Sequence, residues 1–434
     1  MKAQAVRGTR DFYPEEMAFR NWLFERWRRA SRRAGFVEVD GPVLEPLELY
    51  TGKSGPEIAE QLYWLEDKGG RQLALRPEFT PTLARMIAAR QAALPTPLRW
   101  FNISRCFRYE RAQKGRLREF FQWNVDLIGV EGEVADAECI SLAVDALREV
   151  GLGPDDVVVR INDRRLLSGL IQIYVDVPDN AREVMMPRIF AILDKRDRLS
   201  PEALTAMADD SGLSGEQQER LARLMTWGTL KEIESGFARG IPQAPAGLQE
   251  GYDSMRTLFG LLEAYGIAPW CRFDIGIVRG LAYYTGPVWE VHDRKGEFRA
   301  IFGGGRYDRL LGEVGGKPMP AVGFGCGDAV LGLVLEERGL APAQQPAARY
   351  YVAMAEGADF SDVLGVVSHL RQRDQATQFD LKGGSLKRQM KKAAEAGAPL
   401  VVIVGPGFSR DRRVTLREMA SGQQRDVALE DLVP

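Results

Sequence analysis

The chain has 434 residues, room at roughly 150 per domain for about three domains and a sizeable core, which excludes a small disulfide- or metal-stapled module. Its 58 Lys and Arg against 60 Asp and Glu leave a formal charge of -2, so bulk electrostatics neither demand nor forbid a nucleic-acid partner, and such a partner must be met by a local patch. Four scattered cysteines without a Cys-x-x-Cys pair suit a reducing compartment, two histidines exclude a multi-histidine metal centre, and the longest apolar run, 399–404, is far too short to span a bilayer. With no signal-like apolar stretch at the N-terminus, the expectation is a cytoplasmic protein.

From Pro14, residues Phe19, Leu23, Trp27, Ala30 and Ala34 recur at three- and four-residue spacing, one face of a helix whose other face is rich in arginine and which Gly35 stops. A strand over 35–42 is expected next, ended or set at a sheet edge by Pro42. β-rich stretches at 72–75 and 98–103 bracket a helix over 80–93, and a long strand pair with a basic turn follows. Between 165 and 265 the sequence changes to short helices with loop punctuation, including a capping box of Ser214 and Gln217, and reads as a helical insertion. Gly-rich β sequence resumes over 272–327 and runs into an apolar helix at 329–338. Residues 339–348, GLAPAQQPAA, hold two prolines and no charge, as a linker does. Strands at 350–354, 376–381 and 400–404 then alternate with helices at 363–371 and 386–396, the pattern of a small α/β domain over 349–434 behind a larger domain over 1–338.

The richest chemical feature is FRYERAQKGRLREFFQWNVDLIG, residues 107–129. From Arg105 to Arg118 it holds six basic residues and one acidic residue, net +5, with β-like ends and a turn-like middle at 112–115. A hairpin presenting such cations suits a polyphosphate, because guanidinium groups grip phosphate oxygens bidentately and neutralise charge that develops during transfer. On charge alone, a solvated basic hairpin fits equally well.

The run resembles motif 2 of class II aminoacyl-tRNA synthetases, and RAQKGRLREF is most similar to the version in the histidyl family. The resemblance implies that Arg108 binds the ATP α-phosphate and the amino-acid carboxylate, and that Phe120 stacks on adenine. Glu110 and Arg116 complete the nucleotide contacts, Gln122 and Asp126 line a histidine pocket, and Gln113 and Lys114 meet tRNA. A carboxylate that accepts an imidazole N–H rejects apolar isosteres, since the wrong side chain leaves a buried acceptor unpaired.

LALRPEFTPTLARM, residues 73–86, could be no more than a capped helix start, with Glu78 and Thr80 serving its N-terminus. It also resembles the family's amino-acid loop, in which residues matching Glu78 and Thr80 hold the α-ammonium. In FDIGIVRGLAYYTGPVWEVHD, residues 273–293, Val-Arg-Gly-Leu before two tyrosines resembles the histidine-specific signature. It implies a catalytic Arg279 opposite Arg108 at the α-phosphate, and pocket tyrosines Tyr283 and Tyr284. Ala282 stands where the commonest form has an acidic residue.

FGGGRYDRLLGEVGG and AVGFGCGDAVLGLVLEERG, residues 302–316 and 321–339, resemble motif 3, a glycine-rich strand entering a helix. The arginine usual early in that helix is replaced by Val330, and no Lys or Arg lies between Lys317 and Arg338. Arg306 and Arg309 are the expected substitutes. The opening RGTRDFYP and the helix–strand unit ending at Pro42 resemble the family's start and motif 1, which implies a homodimer. Between Lys382 and Arg417 nine basic residues face two acidic ones, and Lys387, Arg388, Lys391 and Lys392 share one helix, a footprint for phosphates. The segment resembles the α/β anticodon-binding domain of the histidyl, threonyl, prolyl and glycyl enzymes.

The resemblance as a whole implies an α+β protein, an antiparallel-sheet catalytic domain with a helical insertion plus a C-terminal α/β domain. It implies ATP with Mg²⁺, L-histidine and tRNA(His) as ligands, Lys387, Arg388 and Lys391 contacting the RNA, and no membrane. A catalytically silent paralogue that senses histidine or RNA is the alternative that Val330 keeps open. A sister enzyme for Thr, Pro or Gly would need a different pocket signature.

Overall fold

A computed structural model of the chain describes residues 4–51, 60–195, 200–237, 246–278, 283–343 and 346–433. Its organising element is a sheet in which residue parity assigns every side chain to one of two unlike faces. The strands of the first unit are β1 (Val37–Glu38), β2 (Leu44–Pro46), β3 (Tyr63–Glu66), β4 (Gln72–Leu75), β5 (Leu98–Phe107), β6 (Glu119–Ile128), β7 (Val157–Asp163), β8 (Cys271–Phe273), β9 (Pro287–Asp293), β10 (Phe302–Arg306) and β11 (Ala321–Gly327). Eight of them form one sheet in the order β1-β5-β6-β11-β10-β9-β7-β8, and β2-β4-β3 form a small antiparallel sheet. The central ladder from β5 to β7 is antiparallel throughout, while β1 and β8 add parallel edges.

On one face Trp123, Val125, Phe324, Cys326, Phe302, Trp289 and Val291 are buried in a single cluster with Leu23, Phe24 and Trp27 of the helix Pro14–Arg33 and with Ile140, Ala143 and Leu147 of the helix Glu133–Glu149. Trp27 stacks on Trp123 at 5.9 Å, and Trp123 meets Phe324 edge-on at 4.9 Å. Each large apolar side chain removed from water here contributes about 1.5–3 kcal/mol, so this face carries the fold and leaves the opposite face for polar groups.

The strand expected over 35–42 is only Val37–Glu38. Beyond Glu38 the chain leaves the sheet, and Asp40 Oδ1 and the Gly41 carbonyl accept from the guanidinium of Arg76, at 3.0 and 2.9 Å. Arg76 is 2% exposed, and a buried guanidinium must find such partners.

Helices fill the span between β7 and β8, from Arg164–Tyr174 to Ala246–Ala264. Asp163 ends β7 and caps the first of them by accepting from the amides of Arg165 and Leu166. The Ser214–Gln217 capping box is present ahead of Gly215–Leu224. Leu166, Leu170, Leu248, Met255 and Leu258 belong to the same cluster as the sheet core, so these helices share one hydrophobic core with it. Gly169 lets two of them touch: a Cβ there would lie 2.6 Å from the Leu248 side chain.

The chain divides into two units, 1–342 and 343–434. The second is a five-stranded sheet in the order β13-β12-β14-β15-β16, with β12 (Tyr350–Met354), β13 (Thr377–Phe379), β14 (Leu400–Val404), β15 (Arg413–Glu418) and β16 (Gln424–Ala428). Its first three strands are parallel and its helices Phe360–Arg371 and Leu386–Glu395 cover them, an α/β layer as the alternating pattern requires. Among the described residues no helix is long and apolar enough to cross a membrane.

Candidate active site

The second face of the large sheet is polar and almost without side chains. Register pairs Asp126 with Gly323, Gly323 with Gly305, Asn124 with Gly325, Gly325 with Gly303 and Gly303 with Glu290, while Gln122 faces Gly327. These residues share parity and therefore one face. The glycines are there for space. A Cβ on Gly325 would lie 2.6 Å from the Gln122 amide nitrogen, one on Gly323 would collide with the Asp126 carboxylate, and one on Gly305 would stand 2.8 Å from the Tyr284 ring.

Around Asp126 the structure gathers Tyr283, Tyr284, Tyr307 and Glu78. Tyr307 donates its hydroxyl hydrogen bond to Asp126, packs edge-on against Tyr283 at 5.8 Å, and Tyr283 in turn donates to Glu78 at 3.2 Å. The Tyr283 and Tyr284 rings lie 5.0 Å apart. Burial pushes the Asp126 carboxyl up to about 7, against which the Tyr307 hydrogen bond works, and burial beside Asp126 holds the Tyr307 hydroxyl well above its ordinary value. The result is an aromatic box with one acceptor at its floor and a second carboxylate, Glu78, at its side. Thr80 opens the helix Thr80–Arg90, which has no side-chain cap, so neither Glu78 nor Thr80 is used as a helix cap.

A second pocket adjoins the first along the same sheet face. Arg108, Glu110, Arg116, Phe120, Gln122, Glu290, Arg299, Gly303, Gly325 and Val330 line it among the described residues. The hairpin of β5 and β6 supplies one wall, and its loop is held from several sides. Arg108 Nε donates to the Pro77 carbonyl at 2.9 Å, and the Arg108 guanidinium sits 5.3 Å from the Phe120 ring centre. Arg116 is ion-paired with buried Glu110. At the loop tip Gly115 is at φ +75°, where a Cβ would stand 3.2 Å from the Val330 side chain, while Lys114 reaches over the Phe298 ring at 5.3 Å. Gln113 forms a bridge with Arg116 across the turn. The opening RGTRDFYP is a strap on this hairpin: Gly8 accepts from the Arg118 amide, Arg10 pairs with Asp328 at 2.6 Å, and Phe12 packs on Phe121.

Residues 8–327 match the family model described as histidyl-tRNA synthetase, and residues 351–434 match that of the anticodon binding domain. The chain belongs to the histidyl-tRNA synthetase family. It is 41% identical to the histidine–tRNA ligase of Opitutus terrae, over 99% of this chain and 97% of that one. It is 39% identical to the chloroplastic/mitochondrial histidine–tRNA ligase of Arabidopsis thaliana, over 98% of this chain and 85% of the relative. The crystal structure of the Nostoc sp. histidyl-tRNA synthetase superposes with a TM-score of 0.80 at 23% identity, covering 99% of this chain and 98% of that one, which shows a shared fold.

Arg279 and Ala282 of the histidyl-tRNA synthetase signature lie outside the described residues. Neither expected substitute for the motif 3 arginine lines the second pocket. Arg306 is spent on a buried ion pair with Asp136 at 2.5 Å and on the carbonyl of Gly132, and Arg309 opens onto a different cleft with Arg164, Arg165 and Arg182. In the second unit Lys387, Arg388 and Lys391 are exposed on Leu386–Glu395, whereas Lys392 is tied to buried Asp380 at 2.6 Å. Sequence reasoning missed Tyr307, Glu290 and Arg299. The Arg-Tyr-Asp that follows three glycines was the available signal for the first; Glu290 becomes visible only through strand register, and Arg299 only as a lining residue of the folded pocket.

Proposed function

We propose that the chain joins L-histidine to tRNA(His) in two steps at the two adjoining pockets, the first of which consumes ATP. In the first step a carboxylate oxygen of histidine attacks the α-phosphorus of ATP, forming histidyl-adenylate as pyrophosphate leaves with the P–O bond electrons. In the second a hydroxyl of the 3′-terminal ribose attacks the acyl carbonyl and AMP departs. The observation that carries this reading is the conjunction on one glycine-floored sheet face of the Asp126–Tyr307 acceptor pair and the Arg108–Phe120 pocket. Asp126 and Gln122 take the imidazole, while Glu78 and Thr80 take the α-ammonium beside Tyr283 and Tyr284. Arg108, with Arg279, neutralises the α-phosphate as charge develops, a permanent charge that needs no proton transfer. Phe120 offers its ring to adenine, and Arg116, set by Glu110, faces the nucleotide. The protein contributes positioning and electrostatics, with no covalent intermediate on a side chain.

Mg²⁺ fits this pocket. Among the described residues no three His, Cys, Asp or Glu side chains converge into a ready-made metal cage, but Glu290 and Glu110 both line the pocket, and nucleotide-borne Mg²⁺ needs only one or two carboxylates besides phosphate oxygens. Glu110 is paired with Arg116 and Glu290 with the His292 ring at 2.9 Å, so these two carboxylates would hold the ion from within existing pairs. When bound, the ion shields phosphate charge. Gln113 and Lys114 at the loop tip, and Lys387, Arg388 and Lys391 in the second unit, meet the RNA, and two chains form a dimer through the β1 edge. The four cysteines are free thiols, three of them buried, which suits a reducing cytosol.

Histidine-dependent exchange of pyrophosphate into ATP tests the reading, with Arg279→Ala as the control. Exchange by the wild type that is lost in the variant is the expected result, and a well-folded wild type without exchange would overturn it.

A further inference from the structure

Outside those two pockets the same unit carries a cleft whose charged lining is entirely cationic among the described residues. It encloses about 420 Å³ between Arg164, Arg165, Arg182 and Arg309, with the Ser168 hydroxyl and the Tyr284 ring in its walls. Three separate pieces of chain deliver the cations. Arg164 and Arg165 open the helix Arg164–Tyr174, Arg182 opens the helix Arg182–Lys195, and Arg309 precedes the short helix Leu310–Glu313 in the connection between β10 and β11. Gly247 and Leu248, in the first turn of Ala246–Ala264, complete the lining, so the first turns of three helices meet at one cavity and their peptide dipoles add to its positive potential. The charges do not cancel internally. Arg165 is answered by buried Asp163 at 3.1 and 2.7 Å, and by the fields of Glu250 and Glu133. Arg182 and Arg309 are exposed and form no ion pair among the described residues. Arg164 is half-buried over the Phe190 ring at 4.9 Å; burial pushes its guanidinium down from the ordinary value, and the Tyr284 hydroxyl acts the other way. Cations that converge on one cavity fit a compact anion, whereas a nucleic-acid backbone is met by cations strung along a face. Guanidiniums grip phosphate oxygens bidentately, so neighbouring phosphates satisfy several of them at once.

We propose that this cleft is a further ligand site that binds a compact polyphosphate anion, gripped by Arg182 from the helical span and by Arg309 from the β10–β11 connection. It shares no lining residue with the pocket of Arg108 and Phe120. Tyr284 is the partition on the other side, since its ring belongs to the aromatic box around Asp126 and also lines the cleft.

Calorimetric titration of the full-length chain with inorganic tripolyphosphate tests this. Saturable binding is expected, weakened at least about tenfold when Arg182→Ala and Arg309→Ala are combined and about threefold by either alone, the loss of charged hydrogen-bonding groups. Arg108→Ala, in the nucleotide pocket, should leave this binding within about twofold of the wild type. Both cleft arginines are exposed, so the combined variant should keep the wild-type thermal midpoint. Arg182→Lys with Arg309→Lys, which keeps the charges, should bind within about threefold of the wild type. Arg188→Ala is the neutral control, a cation of the same helix that donates to the Asp210 carbonyl and does not line the cleft. No saturable binding by the wild type, binding lost in Arg108→Ala but kept in the combined variant, or an equal loss in Arg188→Ala would each overturn the proposal. A raised KM for tRNA in the combined variant, with tripolyphosphate affinity unchanged, would also overturn it and give the cleft to the RNA backbone.

Discussion

Asp126 is the residue at which the site's selectivity and the fold's stability pull in opposite directions. It is 3% exposed, is paired with Gly323, which leaves it room, and has the Tyr307 hydroxyl as its donor. Burial raises its carboxyl from 3.8 to about 7, so between those values the folded chain holds a proton that the unfolded chain has released. Stability from this group is therefore full below about 4, falls as pH rises toward about 7, and is level above that. Asp126→Asn is neutral throughout and lacks the slope. Denaturant midpoints of both proteins, measured from about pH 5 to about pH 8, should show the wild type losing ground against the variant up to about 7 and then running parallel; curves parallel over the whole range would show that Asp126 does not titrate in the fold. On the proposed reading the same substitution costs histidine selectivity, because the ionised carboxylate is the acceptor that tells an imidazole from an apolar side chain.

At the level of elements, what could be read from the chain was whatever is local. The β-like ends of the 107–129 hairpin, the glycines of β10 and β11, the basic turn at 112–115 and the Ser214 capping box are local patterns, and each is found where its pattern lies. What could not be read depends on distant partners. Tyr307 meets Asp126 from 181 positions away, and Arg306, legible only as a spare cation, is taken by Asp136 from 170 positions away. The 35–42 run shows the same limit, since its strand is cut short by the needs of Arg76, a residue that no local pattern connects to it. Edges are a further consequence of arrangement. β1 is a two-residue parallel edge that exposes Val37, and the small sheet and the turn before it expose Val43, Leu44, Trp64 and Leu65. An edge with unpaired backbone groups and apolar side chains is a surface for another chain, which fits the proposed homodimer. Sedimentation should give twice the 48.4 kDa chain mass, and Val37→Asp combined with Trp64→Glu should shift it toward the single-chain value; a wild type at 48.4 kDa at micromolar concentration would remove the dimer from the reading.

For the whole molecule the formal charge of -2 is an average that conceals its working parts. The hairpin from 105 to 118 and the stretch from 382 to 417 are strongly basic, and the second of these belongs to a unit with its own sheet and core. Its cations are not equivalent. Lys392 closes on Asp380 inside the unit, and Gln389 of the same helix bonds both backbone groups of Met354, so that face of the helix fastens it to β12. Lys387, Arg388 and Lys391 point away from that fastening and are exposed, with only a surface pair from Lys391 to Glu395 at 3.7 Å, which salt and water weaken. Neutralising these three should therefore raise KM for tRNA in aminoacylation and flatten its salt dependence by about two to three phosphate contacts, while histidine-dependent pyrophosphate exchange is unchanged. Lys392→Ala should instead lower the thermal midpoint, because it strands a buried carboxylate. A triple variant with wild-type KM for tRNA and an unaltered salt slope would place the RNA contact on another face of the unit; a loss of exchange together with charging would mean that the helix serves the fold of the catalytic unit.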